Sequence, residues 1–177
     1  MVSLTFIFWM YVVLFCVIGG MRGWAKEILV SFSVILALTL TTLLADYVPF
    51  VRDVLAKDNP ALYFWLRSII LLLLVFFGYQ TPNISRFAPK MTREKFQDSL
   101  LGAFLGAANG YLIVGTIWFY LNDAAYPFSL ITPPDPSSAA GKAALNLLQY
   151  MPPRLLGIPA IYFAVVLAFI FVIVVFV

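Results

Sequence analysis

The chain has 177 residues, of which 63% are hydrophobic and 11% are charged, and its formal net charge is +3. Soluble domains carry about a quarter charged residues, so this composition excludes a soluble globular protein and indicates one embedded in lipid. The basic residues lie in short segments between apolar blocks. This pattern favours contact with anionic lipid headgroups over binding to nucleic acid.

The residue types that the chain lacks argue against most enzyme classes. It has no histidine and a single cysteine, Cys16, which lies within an apolar block. Histidine is the commonest metal ligand and general base and a usual haem ligand, and one cysteine cannot form an intrachain disulfide. A phosphate-binding glycine loop is also absent from the sequence. We therefore expect a protein that is not an enzyme and binds no metal or cofactor.

Five apolar blocks follow one another along the chain, at residues 3–20, 28–45, 61–79, 99–121 and 158–177. Each is close to the ~20 residues that a helix needs to cross ~30 Å of hydrocarbon, and a helix satisfies its own backbone in lipid. The sequence therefore predicts an all-α, polytopic membrane helix bundle of about five spans. Asn59 and Pro60 predict the cap and first residue of the third span. Arg67, near the outer end of that span, is expected to extend toward the interface.

The chain divides into three parts on this pattern. We expect a four-helix membrane domain at 1–121, a proline-rich extracytoplasmic connection at 122–157 and a fifth transmembrane helix at 158–177. Within the connection, residues 137–151 are rich in Ala and Leu and predict a short helix. It either lies on the outer membrane surface or packs over the bundle as an ordered cap, and both alternatives stay open. Because the fifth block ends without a polar flank, we expect that the natural chain continues past Val177.

The distribution of Lys and Arg predicts the orientation of the spans. Six basic residues that flank the spans on one side form a predicted cytoplasmic anchor, namely Arg22, Lys26, Arg86, Lys90, Arg93 and Lys95. The opposite side has four, diluted by aspartates. The side richer in Lys and Arg is normally cytoplasmic. We therefore expect a bacterial inner-membrane protein with its N-terminus outside and its C-terminus in the cytoplasm.

Small residues in the fourth block predict close helix packing. Gly102, Gly106 and Gly110 recur every fourth residue and so share one helix face, where a second helix can approach closely. Packing within the chain is favoured over packing between subunits. Asn109 adjoins this face and is expected to hydrogen-bond to a facing backbone or hydroxyl group, and a contact with a substrate is the less favoured alternative. Gly19 and Gly23 repeat the spacing at the end of the first block, although a sharp turn is the favoured interpretation there.

Residues 20–29, which follow one span and open the next, and residues 98–113, which enter the fourth, resemble the hallmarks of the colicin V production protein (CvpA) family. One is the run GMRGWAKEIL at residues 20–29, where the family has an Arg-Gly-aromatic-x-(Arg/Lys)-Glu pattern. The other is DSLLGAFLGAANGYLI at residues 98–113, which is similar to the family's Asp-Arg-x-Leu-Gly-x-x-x-Gly-x-x-Arg-Gly segment. Ser99 and Asn109 stand where the family pattern has arginine. The resemblance covers about residues 4–123 and leaves out the fifth span.

The resemblance implies an inner-membrane protein linked to colicin export and envelope homeostasis. The leading hypothesis is a non-enzymatic protein that acts through helix–helix contacts in envelope maintenance or in toxin or protein secretion. Its partners would be membrane lipids and other membrane subunits or further copies of itself. One alternative is an accessory structural subunit of a large respiratory or photosynthetic complex. Another is a small channel or carrier, although the spans have no Asp, Glu or Lys near their middles to couple ions.

Overall fold

The computed structural model describes residues 3–80 and 95–176, and all regular structure in these two ranges is helical. The four long helices are α1 (Leu4–Arg22), α2 (Trp24–Tyr47), α4 (Pro60–Tyr79) and α5 (Lys95–Asp123). A π-helical turn (Phe50–Leu55) and the short α3 (Ala56–Asp58) connect α2 to α4. After α5 come α6 (Ala139–Leu148), α7 (Pro152–Leu155) and α8 (Ala160–Phe176). The prediction of an all-α bundle is confirmed.

Within the described ranges, α1, α2, α4 and α5 are long and apolar enough to cross a membrane, and α8 is a shorter apolar helix of 17 residues. At a rise of ~1.5 Å per residue, α8 is roughly 25 Å long. The chain is a multi-pass membrane protein. We call the side where α1 turns into α2 the Gly23 end, and the side that holds residues 124–159 the cap end.

The bundle has a buried core and an apolar exterior, as lipid requires. Helix α1 packs along α5, and α2 packs against α4, α5 and α8. The core includes Val30, Val34, Leu71, Ile113 and Ile161. Large apolar side chains also cover the outside, including Trp9 on α1, Trp65 on α4 and Phe163 on α8, which are 52%, 49% and 68% exposed. Such a surface is stable in hydrocarbon and would aggregate in water.

Helices α1 and α5 approach each other closely at the predicted glycine face. A Cβ atom added to Gly19 would lie 2.6 Å from the Cα of Gly106, and one added to Gly106 would lie 2.8 Å from the Cα of Gly19. A Cβ on Gly102 would collide with the carbonyl oxygen of Gly19, and one on Gly110 would lie 3.0 Å from the Cα of Val12. Both helices therefore need glycine along this contact, because any larger side chain would hold the two backbones apart.

The predicted short helix forms as α6 and packs on the bundle. Leu148 and Met151 are buried against Phe8 and Trp118, which belong to α1 and α5. This packing corresponds to the ordered-cap alternative. The turn before α6 is held by Asp135, whose carboxylate accepts hydrogen bonds from the Ser137 backbone N–H at 2.8 Å and hydroxyl at 2.7 Å. These bonds hold the pKa of the Asp135 carboxyl below its ordinary value.

Two local expectations for the third span are wrong. Helix α4 begins at Pro60, but the Asn59 side chain makes no capping hydrogen bond to its first turn. Arg67 does not extend to the interface, because its side chain is 8% exposed and lies 2.8 Å from the carboxylate of Asp123. The last residue of α5, Asp123, thus gives this cation a partner within the chain.

Two neighbouring glycines of α1 give a matched test of the close contact. Gly19→Ala should lower the free energy of unfolding by roughly 1–3 kcal/mol, because the added methyl group overpacks a backbone contact. Gly20→Ala should leave it unchanged or raise it slightly, because its Cβ would make an ordinary 3.4 Å contact with Ala103 and Ala favours a helix. Unfolding in mixed micelles by SDS titration measures both. Equal effects of the two substitutions would contradict the glycine contact.

Candidate functional site

The site begins at the one-residue turn between α1 and α2. Gly23 has a φ of 85°, in the left-handed region that favours glycine, and its N–H donates to the Gly19 carbonyl oxygen at 3.0 Å. The first N–H of α2, from Trp24, donates to the carboxylate of Asp98 at 3.2 Å. Because a helix start carries unpaired N–H groups and partial positive charge, this carboxylate stabilises the start of α2. The next residue, Ser99, donates to the Gly20 carbonyl oxygen at 2.8 Å.

One turn into α2, Glu27 is fully buried. Its Oε1 atom lies 2.7 Å from Nη1 of Arg22, whose side chain is 20% exposed. Its other carboxylate oxygen, Oε2, accepts a hydrogen bond from Nδ2 of Asn109 at 2.8 Å. A buried carboxylate is costly unless it is paired and hydrogen-bonded, and here both of its oxygens have a partner.

Asn109 connects α5 to α2 through both ends of its side-chain amide. In addition to the carboxylate, Nδ2 donates to the backbone oxygen of Glu27 at 2.9 Å. The amide oxygen accepts from the hydroxyl of Ser31 at 2.7 Å. Asn109 is itself fully buried. A polar tie of this kind fixes the register of two helices in an apolar environment.

Arg22 extends the same cluster to α4. Its Nη2 atom donates to the carbonyl oxygen of Tyr79 at 3.1 Å, and its guanidinium carbon lies 4.2 Å from the centre of the Tyr79 ring. The carbonyl is at the end of α4, where the partial charge is negative and favours a cation. We call Arg22, Glu27, Ser31, Tyr79 and Asn109 the Glu27 network. It joins the ends of α1 and α4 to the facing sides of α2 and α5.

The charges of the Glu27 network cancel, since it holds one carboxylate and one guanidinium. One carboxylate meets one guanidinium, and the amide and hydroxyl groups take up the remaining oxygens of Glu27 and Asn109. In the part of the chain that the structure describes, no three His, Cys, Asp or Glu side chains lie together as a metal site. The arrangement positions helices and neutralises a buried charge.

The structure places most of the residues singled out from the sequence at or near this site. Gly19, Gly102, Gly106 and Gly110 form the α1–α5 contact, and Gly23 makes the turn. Lys26 and the exposed Lys95 are at the Gly23 end. Three anchor residues lie outside the described residues, namely Arg86, Lys90 and Arg93.

Sequence reasoning missed Glu27, Ser31 and Tyr79 as members of the site, and it missed the role of Asp98. The available signal was an acidic residue directly before the apolar block at 28–45, five positions after an arginine. A charge in such a place is functional or structural by default, because lipid penalises it. Its partner Asn109 is 82 residues away in sequence, so only the fold reveals the pairing.

The residues that build the site fall within one family-wide sequence pattern. The sequence pattern of the family described as Colicin V production protein matches residues 4–129, more than two thirds of the chain. The chain belongs to the colicin V production protein family. Arg22, Glu27, Asp98 and Asn109 all lie within the matched range, whereas α8 lies outside it. No curated protein and no solved structure matches the chain.

A pair of substitutions tests whether Arg22 neutralises Glu27. Arg22→Met should lower the free energy of unfolding by about 3–5 kcal/mol, because it leaves a buried carboxylate without its cation. Adding Glu27→Gln should recover part of that loss, since the neutral amide no longer needs a cation. The control is Lys57→Met, which removes an ion pair at the surface. In that pair the Lys57 side chain is 69% exposed and that of Asp53 is 42% exposed, so the substitution should have little effect. Chemical unfolding in detergent measures all four proteins, and a double variant less stable than Arg22→Met would contradict the pairing.

Proposed function

We propose that this member of the colicin V production protein family is a non-enzymatic inner-membrane protein that supports toxin or protein secretion and envelope maintenance through helix–helix contacts. The family match supports the link to colicin V production. The Glu27 network supports a structural role, because its carboxylate, the Asn109 amide and the Ser31 hydroxyl bind one another. Reactive groups need to be open to a substrate, and these are committed to structure.

The observation that carries the proposal is the apolar outer face of the family-matched helices. On α1 and α4 it contains large side chains that are about half exposed or more, among them Phe6, Trp9, Trp65, Phe76 and Phe77. Aromatic side chains are enriched in protein–protein interfaces, and Tyr and Trp are also enriched where a protein meets the membrane surface. The proposed partners of this face are lipids and other membrane-protein subunits, including further copies of the chain.

The proposed orientation puts the Gly23 end in the cytoplasm and the cap end outside. The positive residues Lys26 and Lys95 at the Gly23 end support it. The test is a cysteine in place of Ser137 or of Lys95 in a Cys16→Ser background. An impermeant maleimide should label the first in intact spheroplasts and the second only after lysis, and the opposite pattern would reverse the orientation.

The function is tested by comparing exposed aromatic residues inside and outside the family-matched range. The test uses a bacterial strain that carries the colicin V operon and lacks its own family member. In this strain, Trp9→Ala and Trp65→Ala should shrink the halo, the zone in which released colicin V inhibits a lawn of sensitive cells. These substitutions should change the thermal stability of the purified protein much less than they change release, because both side chains are about half exposed. Phe163→Ala on α8 is the matched control and should preserve the halo. Full halos with both Trp variants would contradict contact through this face.

Native electrophoresis after mild detergent extraction separates the proposal from its alternatives. A discrete small assembly supports the proposed function. Migration only within a megadalton respiratory or photosynthetic complex would contradict it and favour an accessory subunit. Ion or solute flux through liposomes that contain the purified protein, reduced by Asn109→Leu, would instead favour a channel or carrier.

A further inference from the structure

The cap end contains a second buried charge that the Glu27 network does not involve. Arg67 is only 7% exposed. Its guanidinium carbon lies 3.8 Å from the centre of the Tyr63 ring and 4.2 Å from that of Tyr120. The two rings hold the guanidinium in place by cation–π contact and leave its N–H edge for hydrogen bonds.

That N–H edge is only partly used. Nε of Arg67 is buried and has no hydrogen-bond acceptor among the described residues. Nη2 lies 2.8 Å from Oδ2 of Asp123 but without the geometry of a hydrogen bond. Asp123 is 46% exposed, so it pairs with Arg67 from the rim of the protein. A buried arginine with an unpaired donor is costly, and a ligand with an acceptor oxygen would remove the cost.

Arg67 borders a cleft of about 140 Å³ between helices. Tyr63 and Tyr120 line it beside Arg67, Thr41 lines it from α2, and α7 closes one side with Pro153. We call this space the Arg67 cleft. Its volume is close to the ~150 Å³ of an engineered cavity that holds benzene, so it has room for one small polar group.

The charges around the Arg67 cleft restrict what can bind there. Besides Arg67 and Asp123, Asp46 at the end of α2 is near enough to act electrostatically on Tyr63. An anion alone would meet two carboxylates, and a cation alone would meet the buried guanidinium. A molecule with a positive and a negative group a few bonds apart complements both.

We propose that the Arg67 cleft binds a zwitterionic phosphoethanolamine group, with its phosphate in the cleft at the guanidinium of Arg67 and its ammonium outside the cleft, toward Asp123 at the rim. Arginine presents planar donors that suit phosphate, and carboxylates at the rim suit an ammonium. The group is carried either by a membrane phospholipid or by a free soluble molecule. This site is independent of the proposed secretion role, so either can fail alone.

Thermal unfolding of the purified full chain in detergent tests the proposal with three probes. These are dihexanoyl phosphatidylethanolamine, dihexanoyl phosphatidylglycerol of the same chain length, and free phosphoethanolamine. Phosphatidylethanolamine should raise the unfolding temperature saturably, and phosphatidylglycerol, which lacks the ammonium, should do so much less. An equal response to free phosphoethanolamine identifies a soluble ligand, and a response only to the lipid identifies a membrane one.

Substitutions assign the response to the cleft. Arg67→Lys keeps the charge but loses the planar donors, and it should raise the half-saturating concentration of phosphatidylethanolamine about tenfold or more. Asp123→Asn, at the rim, should weaken the binding of phosphatidylethanolamine but not that of phosphatidylglycerol. This variant provides the test if Arg67→Lys does not fold. Arg154→Met, an exposed arginine at the same end, is the control. Equal responses to the two lipids in the unsubstituted protein, or an unchanged response in both cleft variants, would overturn the proposal.

Discussion

The contact of α1 with α5 over bare glycine backbone is the constraint on which the rest of the structure depends. With Gly19 and Gly106 close enough that a single methyl group would not fit, the start of α5 lies directly beside the α1–α2 turn. Asp98 can then accept the first N–H of α2, and Asn109 faces Glu27. A larger separation of the two helices would remove all of these polar contacts together.

The Glu27 network shows how a small apolar protein keeps a charge inside the membrane region. The cation comes from the last residue of α1, Arg22, only five positions away across the Gly23 turn. Its guanidinium also uses the carbonyl end of α4. Short loops and a helix end thus neutralise Glu27 without a basic residue in the middle of a span, where lipid would penalise it more.

The two departures from the family pattern fall on contacts that matter here. Ser99 and Asn109 stand where the resemblance has arginine, and the structure places them against the Gly20 carbonyl and the Glu27 carboxylate. Both replacements are neutral donors. The charge that balances Glu27 is therefore supplied by Arg22 alone among the described residues.

The sequence was sufficient to predict the helices, because spans in lipid are fixed by local length and hydropathy. The glycine spacing of α5 was also readable, since it depends on one helix face. The partners of Glu27 and Arg67 were not, because Asn109 and Asp123 come close only through the packing of α5 against other helices. For the same reason, the interfacial position expected for Arg67 from its place in α4 was wrong.

Cross-linking across the α1–α5 contact in native membranes is the most direct test of the glycine contact. The cysteines replace Gly20 and Ala103 in a Cys16→Ser background. A Cβ atom added to Gly20 would lie 3.4 Å from the Cβ of Ala103. This separation is close to the ~3.5–4.5 Å of a disulfide. The two cysteines should oxidise rapidly to a disulfide within one chain. No disulfide should form when the second cysteine is at Phe104, on the exposed side of α5, in place of Ala103. For the first pair, a disulfide that joins two chains, or none at all, would contradict the glycine contact.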